Sequence, residues 1–293
     1  MRTIKFLISL GIFIGDYFSR LVLRLLGRKP AATCVVLYYH SIPDDQKRAF
    51  AHQMDVVSNS TIPVPVQPVP QLLPGKRYSA ITFDDGFENI ISNAVPELEK
   101  RGIPAAVFLT VKYLGQFAVW WPPGTPERQQ NIAPVEKWRQ LPADLISIGS
   151  HTLTHPYLSS LSEPGARMEL FESRAMLQDL FKRKIGILSF PYGDFNADLV
   201  DWCRDAGYEH VFTSMPENAF ENGNRFISGR VSVEPTDWTL EFRLKLLGAY
   251  RWLPHAIFWK HRVRSIMGRP KNPWFGFSET LLKKLTARKK DFV

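Results

Sequence analysis

The sequence predicts an α/β fold built on a mainly parallel sheet, either open or closed into a barrel. Strand-like and helix-like segments alternate along most of the chain. Two of the strands run straight into polar clusters at their C-terminal ends, where α/β folds place their chemistry. The 293 residues are 45% hydrophobic and 22% charged, which supplies one sizeable core and excludes disorder, collagen and disulfide scaffolds.

The elements follow in order. Residues 4–26 are largely apolar, but Lys5, Ser9, Asp16, Arg20 and Arg24 break the run at helical spacing. These residues predict a polar stripe on one side of a helix, with Phe6, Leu10, Phe13, Tyr17, Leu21 and Leu25 opposite. The unbroken apolar stretch, 6–15, has ten residues and is too short to span hydrocarbon. Three readings stay open for residues 1–30: an interfacial helix, a signal segment, or a helix packed on its own domain.

Strands are predicted over 34–39, 78–83, 105–109, 145–149, 185–190, 211–213 and 226–233. Helices are predicted over 50–58, 89–101, 135–140, 163–181 and 197–206. A connector with five prolines, TIPVPVQPVPQLLPG, predicts irregular structure, and WWPPGTP marks a long aromatic loop. The only two cysteines, Cys34 and Cys203, predict buried thiols.

Charge divides unevenly. Residues 1–30 carry +5, residues 31–250 carry −5 and residues 251–293 carry +9. An acidic body with basic ends disfavours a nucleic-acid groove, so no nucleic-acid partner is expected, and it fits an anionic membrane surface. The tail segment 250–269 mixes Trp252, Ile257, Phe258, Trp259, Val263 and Ile266 with basic side chains, as an interface-seeking helix does. The boundaries predicted are therefore 1–30, 31–250 and 251–293.

The chemistry gathers at two strand ends. Asp84-Asp85-Gly86 follows the strand 78–83, and Ser150-His151-Thr152-Leu153-Thr154-His155 follows 145–149. Asp85 with His151 and His155 would make a two-histidine, one-carboxylate metal site with open positions for water and substrate. The segments ITFDDGF (81–87), SHTLTHP (150–156) and FPYGDF (190–195) resemble, in order and spacing, the first three motifs of the polysaccharide deacetylase family, the NodB-homology domain of carbohydrate esterase family 4.

The resemblance covers roughly residues 32–250 and implies a distorted (β/α) barrel of about seven strands. It also implies a bacterial, membrane-associated or secreted hydrolase that removes N-acetyl groups from a polysaccharide or glycan. By it, Asp84 is the base that activates water. Asp85, His151 and His155 hold a divalent metal, commonly zinc, and the backbone N–H of Tyr192 helps hold the oxyanion. His40, at the end of the first strand in LYYHSIP, resembles the permuted poly-N-acetylglucosamine deacetylase branch and is expected to act as the acid. His52 and His210 are expected to be structural.

One departure stands out. Many members carry an arginine two residues before the proline of the third motif, where this chain has Ser189; Arg230 in GRVSV is the nearest candidate replacement. Trp120, Trp121 and Trp138 are candidates for stacking on sugar rings. The competing readings are an O-acetyl ester hydrolase, a carbohydrate-binding relative without turnover and a two-histidine, one-carboxylate iron oxygenase.

Overall fold

A computed structural model describes residues 2–220 and 226–266. Seven strands build the frame: β1 (Thr33–Tyr39), β3 (Arg77–Phe83), β4 (Ala105–Leu109), β5 (Ile146–Ser150), β6 (Ile187–Ser189), β7 (His210–Phe212) and a bent strand read as β8 (Ile227–Ser228) plus β9 (Val231–Ser232). All pair in parallel, in the order β8-β7-β6-β5-β4-β3-β1-β9. The sheet thus begins and ends on the same segment. Gly229 and Arg230 carry the chain from β7's neighbour to β1's neighbour and close the barrel by covalent continuity. This is the distorted barrel expected.

Alternation along the strands sorts side chains into two layers. Val35, Leu37 and Tyr39 of β1 and Ile81 and Phe83 of β3 join the large cluster under the helices. Cys34, Val36, Tyr78 and Ala80 face the other way, into an interior cluster with Phe108, Ile187 and Phe212. Both cysteines are buried free thiols. The outer helices are α2 (Lys47–Ser60), α3 (Val95–Glu99), α4 (Val135–Arg139), α5 (Glu163–Phe181), α6 (Ala197–Asp205) and α7 (Thr239–Leu246).

Two local expectations are corrected. The proline-rich connector is not wholly irregular: β2 (Ile62–Pro63) pairs with the start of β3 as a short added strand. The helix predicted over 89–101 is a π-helical turn, Ile90–Ala94, followed by α3. Pro96 explains the change, because it has no N–H for the Ser92 carbonyl four residues back. Lys47 Nζ donates to that carbonyl instead, at 3.4 Å.

The N-terminal helix α1 (Arg2–Leu25) packs on its own domain along part of its length, one of the three readings left open. Two residues of its polar stripe, Ser9 and Asp16, face the protein. Ser9 is buried and accepts from Trp252 Nε1 at 2.9 Å, and Asp16 receives Arg251 through two bonds of 2.6 and 2.7 Å. Phe6, Leu10 and Phe13 pack on Leu244, Ala249 and Tyr250. Tyr17, Leu21 and Leu25 are exposed, together with Leu7, Phe18 and Val22. By length and composition alone, α1 is long and apolar enough to cross a membrane. The tail helix α8 (Leu253–Ile266) forms where predicted, and residues 267–293 lie outside the described residues.

His210, expected to be structural, is buried in β7 against Phe212 and Phe220, and its Nε2 has no partner among the described residues. Burial lowers its imidazole to about 4. The folded state therefore keeps it neutral while the unfolded chain binds a proton below about pH 6.5, so stability falls as pH drops from 6.5 toward 4. His210→Phe should shrink the loss of unfolding free energy between pH 7.5 and pH 5 by ~2 kcal/mol, measured by urea titration at both pH values.

A second test concerns Gly149 in β5. A Cβ there would meet the Phe108 ring at 2.6 Å and Ile187 Cγ1 at 2.8 Å, both core groups without room to withdraw. Gly149→Ala should destabilise the fold by about 1–3 kcal/mol in the same assay at neutral pH.

Candidate active site

Strand β3 delivers the two aspartates in different directions. Asp84 continues the inward-facing set Tyr78, Ala80 and Thr82. Asp85 and Gly86 then turn the chain sharply, at φ 68° and 88°. Asp tolerates the left-handed region better than most residues, but position 86 needs glycine: a Cβ there would meet Leu109 Cδ2 at 2.5 Å. The turn aims the Asp85 carboxylate away from Asp84 and toward the histidine loop.

That loop follows β5 and is held in an unusual shape. Thr152 and His155 both have positive φ, 67° and 64°. Such backbone persists only where its surroundings over-determine it. Here the buried Glu169 of α5 accepts from the Leu153 and Thr154 amides at 2.8 and 2.9 Å, while Ser150 Oγ and Thr152 Oγ1 cap the Thr152 and His155 amides at 3.1 Å. His151 Nδ1 lies 2.8 Å from the Ser189 carbonyl, which can only accept. Nδ1 therefore carries the proton and Nε2 presents its lone pair.

Asp85 Oδ1 lies 3.7 Å from His151 Nε2 and 3.4 Å from His155 Nε2, and one ligand atom from each residue falls within 4.8 Å of the others. All three residues are buried, and Asp85 Oδ1 has no hydrogen-bond partner among the described residues. Burial pushes the Asp85 carboxyl up to about 8; the Asp84 charge adds to this and the Trp121 N–H opposes it. Burial also lowers His151 to about 4 and holds His155 well below its usual value. Neutral imidazoles beside an unpartnered carboxylate oxygen form the donor set a divalent cation needs.

Asp84 is arranged differently. Arg230 donates to both of its oxygens, Nη1 to Oδ1 and Nη2 to Oδ2, each at 2.7 Å. The guanidinium also donates to Thr82 Oγ1 at 3.1 Å and Ser189 Oγ at 2.6 Å, under the rings of Tyr38 and Phe108. Burial alone would raise Asp84, but Arg230, with His151 and His40 adding, holds it down at about 2. The cation missing at Ser189 is thus supplied by Arg230, which touches the very side chain that stands in the arginine's place.

His40 and Tyr192 complete the cavity of about 290 Å3 that the aspartates and histidines line. The His40 ring stands edge-on to Tyr38 and Trp121, with centroids 5.6 and 5.3 Å away. Burial lowers its imidazole, and the Asp84 charge pulls it part of the way back. Tyr192, at φ 57° in the Pro191-Tyr192-Gly193 turn, lays its half-exposed ring edge-on to His155 and stacks on Tyr157 at 3.9 Å. His52 lies exposed on α2, away from the cavity.

The tryptophans separate. Trp138 is core, 1% exposed, and donates to the Ala133 carbonyl at 3.2 Å, so it has no face for a sugar. Trp120 stacks on the His155 ring at 4.7 Å, and Trp121 Nε1 donates to Asp85 Oδ2 at 2.9 Å. Both were candidates for stacking on sugar rings; the fold of the 110–134 loop instead puts Trp120 against His155 and Trp121 against Asp85.

The comparisons with known proteins agree with this geometry. The sequence profile described as "Polysaccharide deacetylase" matches residues 73–211. The poly-beta-1,6-N-acetyl-D-glucosamine N-deacetylase of Staphylococcus aureus (strain MRSA252) is 26% identical over 169 residues, which is 54% of this chain and 55% of that protein. YxkH of Bacillus subtilis (strain 168), provisionally named a polysaccharide deacetylase, is 26% identical over 162 residues, 55% of this chain and 53% of its own. The chain thus spans about half the length of the curated relatives it matches. Among solved structures, IcaB from Ammonifex degensii superposes with a TM-score of 0.63 at 24% identity, covering 74% of this chain and 98% of that one. A de-N-acetylase from Aggregatibacter actinomycetemcomitans superposes at 0.60 with 17% identity, covering 72% and 99%. These two likenesses establish the fold. Profile, motifs and fold coincide on one domain, of which residues 73–211 match the polysaccharide deacetylase family.

Proposed function

We propose that the protein is a metal-dependent N-deacetylase acting on a polysaccharide or glycan that contains N-acetylhexosamine, of the poly-N-acetylglucosamine class. The observation that carries this reading is the division of labour between adjacent carboxylates: Asp85 faces two neutral imidazoles, while Asp84 is kept out of that set and ionised by Arg230. A divalent cation held by Asp85, His151 and His155, zinc by the donor types, would supply the Lewis acidity that acidifies a water and polarises an acyl oxygen.

The remaining roles fall to the chain's own groups. Asp84, anionic at any working pH, accepts a proton from the attacking water. The Tyr192 backbone N–H donates to the developing oxyanion. His40, across the cavity and within the field of Asp84, delivers a proton to the departing amine nitrogen. Residues 31–250 act as the catalytic unit. The exposed apolar side of α1 and the basic ends support a position at an anionic membrane surface, where a membrane-associated or exported glycan would be met.

The deciding experiment is acetate release from N-acetylglucosamine oligomers in matched samples with zinc, with chelator and with Asp84→Asn. Release should require the metal, and Asp84→Asn should lower kcat by about 10²–10⁴-fold while metal binding stays intact. Release from O-acetyl esters alone would replace the amide reading with the esterase one; silence on both with metal bound would favour a binding protein.

Two further outcomes follow. Trp121→Phe removes the N–H that orients Asp85 and should weaken zinc binding by about 10–100-fold, read by calorimetric titration. Arg230→Lys keeps a cation but loses the paired donors to Asp84. The Asp84 carboxyl then rises from its depressed value, so the acid limb of the kcat/KM profile should move to higher pH.

A further inference from the structure

We propose that the groove between the C-terminal half of α1 and the starts of β1 and β3 binds a phosphate-type oxyanion. The groove has a volume of about 510 Å3 and is lined by Arg20, Arg24, Lys76 and Arg77, with Asn59 and Ser60 adding neutral polar groups from the end of α2. Thr33 and Arg77 are register partners at the first residues of β1 and β3, so the groove lies at the opposite end of the barrel from Asp84 and Asp85. No carboxylate lines it. Asp16, the acid whose field reaches both Arg20 and Arg77, is already committed to Arg251.

One of the cations is held in place. Arg20 Nη2 donates to the Ala31 carbonyl and to Thr33 Oγ1, both at 3.2 Å, which anchors the guanidinium. Its Nη1 is buried and has no partner among the described residues. None of the four cations has an ion pair among the described residues, and burial together with the Arg20 charge disfavours the protonated Arg77 guanidinium. Like charges converging on a partly desolvated groove repel, and a bound anion with several oxygens relieves both the repulsion and the orphaned donor. Guanidinium forks match phosphate oxygens in geometry as well as charge.

One wall of the groove is apolar. Tyr17 and Leu21 line it, and the exposed Phe18, Val22 and Leu25 continue that surface along α1. An anion whose remainder is apolar fits both features, which points to a lipid headgroup phosphate; free phosphate shares the recognition chemistry.

The test uses the full chain. Sedimentation with phosphatidylglycerol–phosphatidylcholine vesicles is compared with pure phosphatidylcholine vesicles, and thermal unfolding is followed in inorganic phosphate against chloride at matched ionic strength. The variants are Arg20→Gln/Arg77→Gln and, on the exposed rim, Lys76→Glu, which carries the test if the double variant does not fold. The wild type should prefer the anionic vesicles, and the double variant should lose about 30-fold in that affinity. A phosphate-dependent rise in Tm that the variants lack, with equal affinity for both vesicles, would support the site with a soluble ligand. Equal vesicle affinity without a phosphate effect would overturn it, as would a preference that survives both variants. Acetate release from soluble oligomers should be unchanged in both variants, so this inference and the catalytic reading fail separately.

Discussion

The Asp84–Arg230 ion pair is the constraint on which both the barrel and its chemistry depend. Arg230 sits between β8 and β9, in the two residues that join the ends of the sheet, and Asp84 ends β3 on the far side of β1. Their doubled bond, with the added bonds to Thr82 and Ser189, fastens the closing segment to the strands that build the cavity. Both groups are almost wholly buried. A buried pair of this kind is only weakly stabilising against an apolar substitute, but removing one partner strands the other at a cost of about 3–5 kcal/mol. Closure of the barrel and ionisation of Asp84 are therefore coupled.

The second constraint is backbone strain. Asp85, Thr152, His155 and Tyr192 all occupy the left-handed region, and all line or adjoin the cavity. Four such residues cost of order 1–3 kcal/mol each, and the surrounding bonds offset that cost. Glu169 illustrates the offset: a buried carboxylate on α5 ties down two amides of the histidine loop without reaching the cavity itself. The helix layer thereby sets the aim of side chains that it never touches.

Much of this was legible in the chain. The strands read from hydrophobic alternation lie close to their observed places, and Asp84, Asp85, His40, His151, His155 and Tyr192 converge on one cavity. Motif spacing carried that information because each motif sits at a strand end, where sequence order and spatial order nearly coincide in a parallel barrel. Arg230 was reachable only as a neighbour in thought, since its contact with Asp84 spans 146 positions and depends on closure. Trp121 was harder still. Its bond to Asp85 depends on the path of a long loop with no periodic pattern to read. For α1 the pattern left three readings open, because polarity marks only a need for partners, and Ser9 and Asp16 found theirs in Trp252 and Arg251 rather than in water.

The relocation of the cation to Arg230 bears on how relatives are recognised. Ser189 and Arg230 meet at one point, so an arginine of the closing segment reaches the place where the family resemblance leads one to expect an arginine on β6. A signature written in consecutive letters would score position 189 as a defect. A signature written in space would not. For any chain with another residue at that position, the question is whether an arginine enters from the closing segment of the barrel, and that is read from its fold and not from its letters.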